Sequence, residues 1–335
     1  GRLDQSRMSS DGPDKPFNTA ALAFAFCGRV NGVSQLHAGV ARRLFGSLPE
    51  AAGVEGITNG VHARTWVDPS LQALYDDRLG SGWENGDVDA WKRIHEVDLE
   101  AFGAIRAAAR RRLADLVYGV TGVELDPAGC VLGFARRFAT YKRASLLLRD
   151  PDGLAESLEA GAQFVFAGKA HPADTEGKAV LAEIARYSEA NPNHKVVIIP
   201  DYDIEIARAL YAGSDVWLNN PIRPREACGT SGEKAALNGV LNCSISDGWW
   251  ADWYVEGIGW EIPTAEGVAD DERDRQEAAA LHRLLVDDVL RLHNGSPDGW
   301  WAMVQQMLAH LGPLVTAGRM VDEYNQRFYQ PIRES

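Results

Sequence analysis

Residues 130–167 read CVLGFARRFATYKRASLLLRDPDGLAESLEAGAQFVFA, and this stretch decides the fold. It opens on a short apolar run, Cys130 to Phe134, and closes on another, Gln163 to Ala167, with a helix-like stretch from Tyr141 to Leu148 between them. The alternation continues downstream. Lys195 to Pro200, Asp215 to Asn219 and Val240 to Ile245 are further short apolar runs, separated by helix-like Glu176 to Ala190, Ile204 to Ala212 and Gly229 to Leu237. Runs apolar enough for burial on both sides, alternating with helices, predict a parallel sheet covered by helices. Ligands of such sheets bind beyond the carboxyl ends of the strands. Chemistry is therefore expected in the loops after Phe134, Ala167, Pro200, Asn219 and Ile245.

Outward from this centre the pattern changes. From Asn18 to Phe45 apolar residues fall at helical spacing through Leu22, Phe26, Val33, Leu36, Val40 and Leu44. From Gly46 to Asp77 the spacing breaks around Gly, Pro and Asn. A long helical stretch returns from Asp87 to Tyr118, and little convincing strand lies before it. After Pro263 an acidic stretch leads to helices at Asp271–Leu292, Gly299–Leu311 and Leu314–Phe328. The turn-rich GVTGVELDPAG places a hinge near Tyr118 to Pro127.

The chain has 335 residues, a length suited to two domains, and a net charge of −13. Its general surface repels nucleic acid and anionic membranes, so an anionic ligand would need a local basic cluster. Cys27, Cys130, Cys228 and Cys243 form no CxxC pair and no metal-like spacing with His, which favours a reduced, cytoplasmic setting. No apolar run is long enough to span a membrane. The chain starts with Gly, and its opening GRLDQSRMSSDGPDKP reads as an internal loop or a ragged start, consistent with a fragment.

The basic cluster is found in GFARRFATYKRA, where Arg136, Arg137, Lys142 and Arg143 meet at one strand-to-helix junction. A helix N-terminus adds its positive end and free amides, so phosphate suits the place; a solvated helix face is the alternative. In RPREACGTSGEKAAL, Gly229, Thr230, Ser231 and Gly232 form a small-residue turn whose amides and two hydroxyls can cradle a phosphate. Lys234 follows Thr230 by one turn and sits beside Ala235, Ala236 and Leu237. Desolvation there lowers an amine's pKa and suits it to a Schiff base. A lone helix lysine ordinarily reaches solvent, but an aldehyde cofactor with a phosphate tail needs both features side by side. Glu226 suits sugar hydroxyls or, equally, a helix N-terminus. In ITNGVHARTW, Asn59-Gly60 reads as a turn, and His62 and Trp66 as core or cleft residues. Asp247-Gly248-Trp249-Trp250 is another turn with aromatics. No Ser-His-Asp triad, P-loop or zinc spacing appears.

Taken together, these segments resemble the α-glucan phosphorylase family (glycogen, starch and maltodextrin phosphorylases), in particular the C-terminal part of its bacterial short form. The motifs run in the family's order: NGVSQLHAGVARRLF (31–45), ITNGVHARTW (57–66), GFARRFATYKRA (133–144), FVFAGKAHPAD (164–174), VVIIPDYDIEIARALYAGSDVWLNNP (196–221), RPREACGTSGEKAALNGVLNCSISDGWW (223–250) and GWEIP (259–263). The resemblance implies an α/β fold of the glycosyltransferase-B type, with a Rossmann-like C-terminal domain and an incomplete N-terminal Rossmann-like domain. It divides the chain into 1–120, the end of the N-terminal domain; 121–312, the cofactor and phosphate domain; and 313–335, a helix crossing back.

By motif match, Lys234 would form the Schiff base with pyridoxal 5'-phosphate, and Thr230, Ser231 and Gly232 would surround the cofactor phosphate. Tyr202 and Arg136 would contact the cofactor region, with Trp66 packed against it. Arg137 and Lys142 would hold the substrate phosphate, and Asn59, Glu226, Cys228 and Gly229 would line the glucosyl site. Cys228 stands where family members usually carry Ser, and a thiol is the weaker hydrogen-bond partner. The implied reaction is retaining phosphorolysis of α-1,4-glucan by inorganic phosphate to give glucose-1-phosphate, with the cofactor's phosphate assisting proton transfer to the glycosidic oxygen. No nucleic-acid or membrane partner is implied, and the full-length protein can be a homo-oligomer.

The family's N-terminal glycine-rich loop and sugar-contacting histidine lie upstream of the residues present, so the isolated chain is expected to bind cofactor weakly and turn over poorly. Two rivals stay open. A nucleotide-sugar glycosyltransferase of the glycogen-synthase type has a similar fold but carries a second glutamate eight positions after the first, where this chain has Lys234. A non-catalytic glucan-binding fragment is the other.

Overall fold

The computed structural model of the chain describes residues 18–333; the polar opening at 1–16 lies outside the described residues. The first elements are short: α1 (Thr19–Phe26), β1 (Asn31–Gly32), α2 (Gln35–Leu44), β2 (Glu55–Gly56), α3 (Ala63–Trp66), α4 (Pro69–Arg78) and α5 (Val88–Lys92). The helical spacing over 18–45 is interrupted where β1 pairs in parallel with β2. Each flanking helix has its own start, Asn18 capping α1 and Ser34 capping α2 through the His37 amide. α4 corrects the non-helical reading of 46–77. Asp68 accepts from the Ser70 amide and Pro69 takes the first helical position, a start signal masked by the turn residues before it.

α6 (Leu99–Thr121) buries Phe102, Arg106, Ala109, Leu113 and Val117 on one stripe and ends at Gly122, whose φ of 73° suits the left-handed cap. Then follow β3 (Cys130–Ala135), α7 (Pro151–Glu159), β4 (Ala162–Ala167), α8 (Thr175–Ala190), β5 (Val196–Ile199), α9 (Ile204–Gly213), β6 (Val216–Asn219), α10 (Thr230–Leu237), β7 (Leu241–Ile245), α11 (Gly248–Trp253) and β8 (Gly259–Ile262). The six strands from β3 onward form one parallel sheet in the order β5-β4-β3-β6-β7-β8. That is the doubly wound order, in which the direction of winding reverses between β3 and β6 and leaves a crevice at their carboxyl ends.

The central strands are buried on both faces, and successive side chains enter opposite cores as the pleat requires. Cys130, Leu132 and Phe134 join the larger core with Phe164, Phe166, Leu281 and Leu285, while Val131 and Ala135 face the other side with Leu113, Val117 and Leu210. α6 therefore covers the sheet beside α9. One local expectation fails. Residues 141–148 are not an α-helix but tight turns at Thr140–Lys142 and Leu146–Arg149, because Arg143 takes φ 49° and turns its guanidinium onto the carbonyls of Asn220 and Pro221. GWEIP forms the edge strand β8, whose exposed Glu261 hides it from a search for apolar runs.

α12 (Asp270–Leu284), a wider turn at Leu285–Leu290, α13 (Arg291–Gly295) and α14 (Pro297–Leu311) pack on the sheet's side and end. The chain then returns to its beginning through α15 (Ala317–Tyr324) and α16 (Gln330–Arg333). Val61 donates to Val315 at 2.8 Å, Ala317 donates back to Val61 at 2.8 Å, and Asn31 Nδ2 donates to the Tyr324 hydroxyl at 2.7 Å. The approach is close enough that a Cβ on Gly60 would lie 2.2 Å from the Thr316 carbonyl. No helix among the described residues is long and apolar enough to cross a membrane.

Candidate cofactor and phosphate site

The crevice between β3 and β6 receives side chains from the loop after each strand. Arg136 leaves β3 directly, its amide bonded to the Ala167 carbonyl at 3.2 Å, so its direction is set by the sheet. Its guanidinium reaches Glu226 Oε2 at 3.2 Å and Ser231 Oγ at 2.8 Å, and lies 5.1 Å from the Phe134 ring centroid. Lys142 Nζ donates to the same Glu226 Oε2 at 2.6 Å. Glu226 is fixed from behind, its amide donating to Asp247 Oδ2 at 3.0 Å. Two buried cations thus share one buried carboxylate and leave a net positive charge. Burial, then the neighbouring Arg136, bring the Lys142 amine down to about 8 against the pull of Glu226. Burial likewise lowers Arg136, whose Nε has no partner among the described residues. Arg137 points outward and is exposed, beside Tyr141.

The second wall is the start of α10. Gly229 precedes it at φ +93°, which a side chain would strain, and offers no side-chain cap to the amides of the first turn. The Gly232 amide turns back onto the Gly229 carbonyl at 3.2 Å, and a Cβ on Gly232 would lie 2.5 Å from Asn242 Oδ1. Gly232 is therefore where the helix presses on β7. Thr230, Ser231 and Lys234 remain half-buried on the opposite face, at the three- and four-residue spacings that align side chains. Ser231 Oγ also accepts from Trp217 Nε1 at 3.2 Å, which ties it to β6 as well as to Arg136. Lys234 Nζ lies 4.0 Å from the Trp66 ring centroid and 5.6 Å from that of Tyr211, and forms no salt bridge among the described residues. Burial lowers its pKa, with Glu233 opposing. Trp66 and Tyr211 meet edge to face at 5.5 Å, and Tyr211 packs on Trp217 at 4.7 Å, the indole that donates to Ser231; Tyr202 lies beside Tyr211 and Arg136. The lysine amine and the arginine–serine pair thus belong to one continuous group of side chains.

On the third side, Cys228 donates to the buried Glu233 Oε1 at 3.3 Å, touches the Asn59 backbone, and receives the Trp249 amide on its carbonyl at 2.8 Å. Asn59 is held through its own carbonyl by Arg319 Nη2 at 2.9 Å. Burial pushes the Glu233 carboxyl up to about 8, and its Oε2 has no partner among the described residues.

The sequence pattern of the carbohydrate phosphorylase family matches residues 2–277. The chain is 43% identical to the glycogen phosphorylase of Mycobacterium tuberculosis (strain CDC 1551 / Oshkosh) over 359 aligned positions, covering 98% of this chain and 41% of that protein. This chain belongs to the carbohydrate phosphorylase family. The maltodextrin phosphorylase of Thermococcus litoralis is 36% identical over 93% of this chain and 41% of its own length, and the Aquifex aeolicus glycogen phosphorylase 32% over 96% and 50%. The carbohydrate phosphorylase chain described here therefore spans about two fifths to half the length of these relatives.

Sequence reasoning missed four residues of this family member's site. Tyr211 and Trp217 sit in segments read as ordinary helix and strand, and their inward faces emerge only when the sheet order is known. Asp247 has the sequence setting of a turn residue, yet it braces Glu226. Glu233 carries the one available signal, an acid on the helix face that continues into buried Ala236 and Leu237.

Proposed function

We propose that this chain forms the cofactor- and phosphate-handling part of a cytoplasmic α-1,4-glucan phosphorylase of the glycosyltransferase-B type, which releases glucose-1-phosphate from glucan ends with inorganic phosphate. The reading divides the chain into 1–120, 121–312 and 313–335, as the motif order implies. The observation that carries it is the joined placement of Lys234, the uncapped turn before α10, and the buried Arg136–Glu226–Lys142 group.

These residues fit pyridoxal 5'-phosphate. The Lys234 amine faces two aromatic rings with no carboxylate bonded to it, a low-polarity setting that keeps an amine available for an aldehyde. The first-turn amides of α10 lack a capping side chain and, with the Thr230 hydroxyl and the hydroxyl proton of Ser231, suit a phosphate. When bound, the cofactor supplies a phosphate that assists proton transfer to the glycosidic oxygen.

The chain's own residues do the positioning. Arg136 links the cofactor wall to the sugar wall through Ser231 and Glu226. Lys142 and the exposed Arg137 bring positive charge to the strand ends, where a substrate phosphate gathers in an otherwise acidic protein. Asn59, Glu226, Cys228 and Gly229 form the sugar side, and burial of the Cys228 thiol keeps it neutral. Prepositioned charge of this kind favours an oxocarbenium-like state over the ground state.

Calorimetric titration with pyridoxal 5'-phosphate, and in parallel with ADP-glucose and UDP-glucose, tests the reading. Binding of the first, lost in Lys234→Ala, is expected. Binding of a nucleotide sugar that is indifferent to Lys234→Ala would instead favour a glycosyltransferase of the glycogen-synthase type.

A further inference from the structure

At the opposite, amino edge of the sheet, α6, α14 and the loop before β3 enclose a cavity of about 380 Å³. Its position excludes it from the site above, because its floor is Val131 at the start of β3 and Asp215 just before β6. The walls are apolar: Trp300 and Trp301 from α14, with Leu125 and Pro127 opposite. The polar lining is Arg106, Arg110 and Arg111 against Asp126 and Asp215, with His293 edge-on to Trp300 at 5.0 Å.

The partners of these groups decide what the cavity can accept. Asp215 is consumed: one oxygen is paired with Arg110 and the other accepts the Val131 amide at 2.9 Å. Arg106 is consumed by the carbonyls of Ala212 and Ser214. Asp126 accepts the Ala128 amide at 2.9 Å. Arg111 alone among the three arginines bonds no residue described, and it is exposed at the rim. Cys130, Asp215 and His293 bring their donor atoms within 4.8 Å of one another, but a cation there would have to displace the Arg110 guanidinium. Charge therefore favours an anion, and two indole walls favour a flat ring, which guanidinium and indole groups both stack against.

We propose that this cavity is a second ligand site, for a small planar aromatic molecule carrying one anionic group, with the ring between Trp301 and Leu125 and the anion at Arg111. The volume matches that of ordinary small-molecule pockets. The site is separate from the phosphorylase reading and stands if that reading fails.

Fluorescence titration of the chain with anilinonaphthalene sulfonate, and with its uncharged counterpart N-phenylnaphthylamine, tests it. Arg111 and Ala107 are exposed residues of the lining, so Arg111→Glu and Ala107→Trp alter the site without entering the core; unchanged circular dichroism verifies the fold. Saturable binding of one probe per chain is expected. Arg111→Glu should weaken the sulfonate by about tenfold or more, the effect of one charge contact at a partly exposed site, and leave the uncharged probe as it was. Ala107→Trp should abolish both. Absence of saturable binding, equal sulfonate affinity in Arg111→Glu and wild type, equal losses for both probes in that variant, or full binding in Ala107→Trp would each overturn the proposal.

Discussion

Replacing Glu226 by Gln keeps the shape of the side chain and removes the charge that Arg136 and Lys142 share. Removing one member of a buried ion group costs ~3–5 kcal/mol because the remaining charge is left uncompensated. The two cations respond differently. The Lys142 pKa already falls from 10.5 to about 8, which corresponds to ~3 kcal/mol of lost preference for the charged form. Without Glu226 it falls further, but at pH 7 the lysine sheds its proton once its pKa drops about one more unit, so its added cost is limited to ~1 kcal/mol. Arg136 has no such escape, because a guanidinium does not deprotonate in this range. Most of an expected loss of ~3 kcal/mol therefore comes from Arg136. Urea unfolding at pH 7 measures it. Phosphate should restore part of the loss by supplying the missing negative charge, and should stabilise Glu226→Gln more than wild type. A loss below ~1 kcal/mol, or equal stabilisation of both proteins by phosphate, would refute the claim that this carboxylate neutralises a cationic anion site.

Other expectations follow from single groups. Lys142 loses its charge as pH rises through about 8, so phosphate affinity measured by calorimetry should drop by up to about tenfold per pH unit above that point, and Lys142→Arg should flatten the profile. Glu233 is raised from 4.5 to about 8, so its protonated form stabilises the fold fully below 4.5 and this contribution is lost as pH rises to about 8. Thermal melting of Glu233→Gln across that window should show a weaker decline with pH than wild type. Gly60→Ala would force the Thr316 carbonyl away from a position 2.2 Å from the new Cβ, loosening the return of the C-terminal helices; a cost of about 2 kcal/mol or more is expected in urea unfolding, and a neutral result would contradict the close approach.

The central sheet was legible because parallel strands buried on both faces leave long apolar runs, and the five runs read from the sequence are strands within a residue or two at each end. β8 was not, because an edge strand tolerates an exposed charge at Glu261. The failure at 141–148 has a tertiary cause: Arg143 finds its partners in Asn220, Pro221 and Glu277, all distant in sequence, and these hold a backbone angle that local propensity disfavours. The cationic cluster at Arg136 and Lys142 and the small-residue turn at Gly229 were visible as composition. That they share Glu226 and Ser231 was not, since both links join β3's loop to β6's loop across some 90 residues.

The measurement that bears most directly on the account is the site of reductive trapping. The chain is incubated with pyridoxal 5'-phosphate, reduced with borohydride, digested and mapped by mass spectrometry. Modification concentrated on Lys234, and diminished when Ser231→Glu places a charge at the turn, is the predicted result. Label spread over exposed lysines such as Lys92 and Lys169, with Lys234 unmodified, would contradict it.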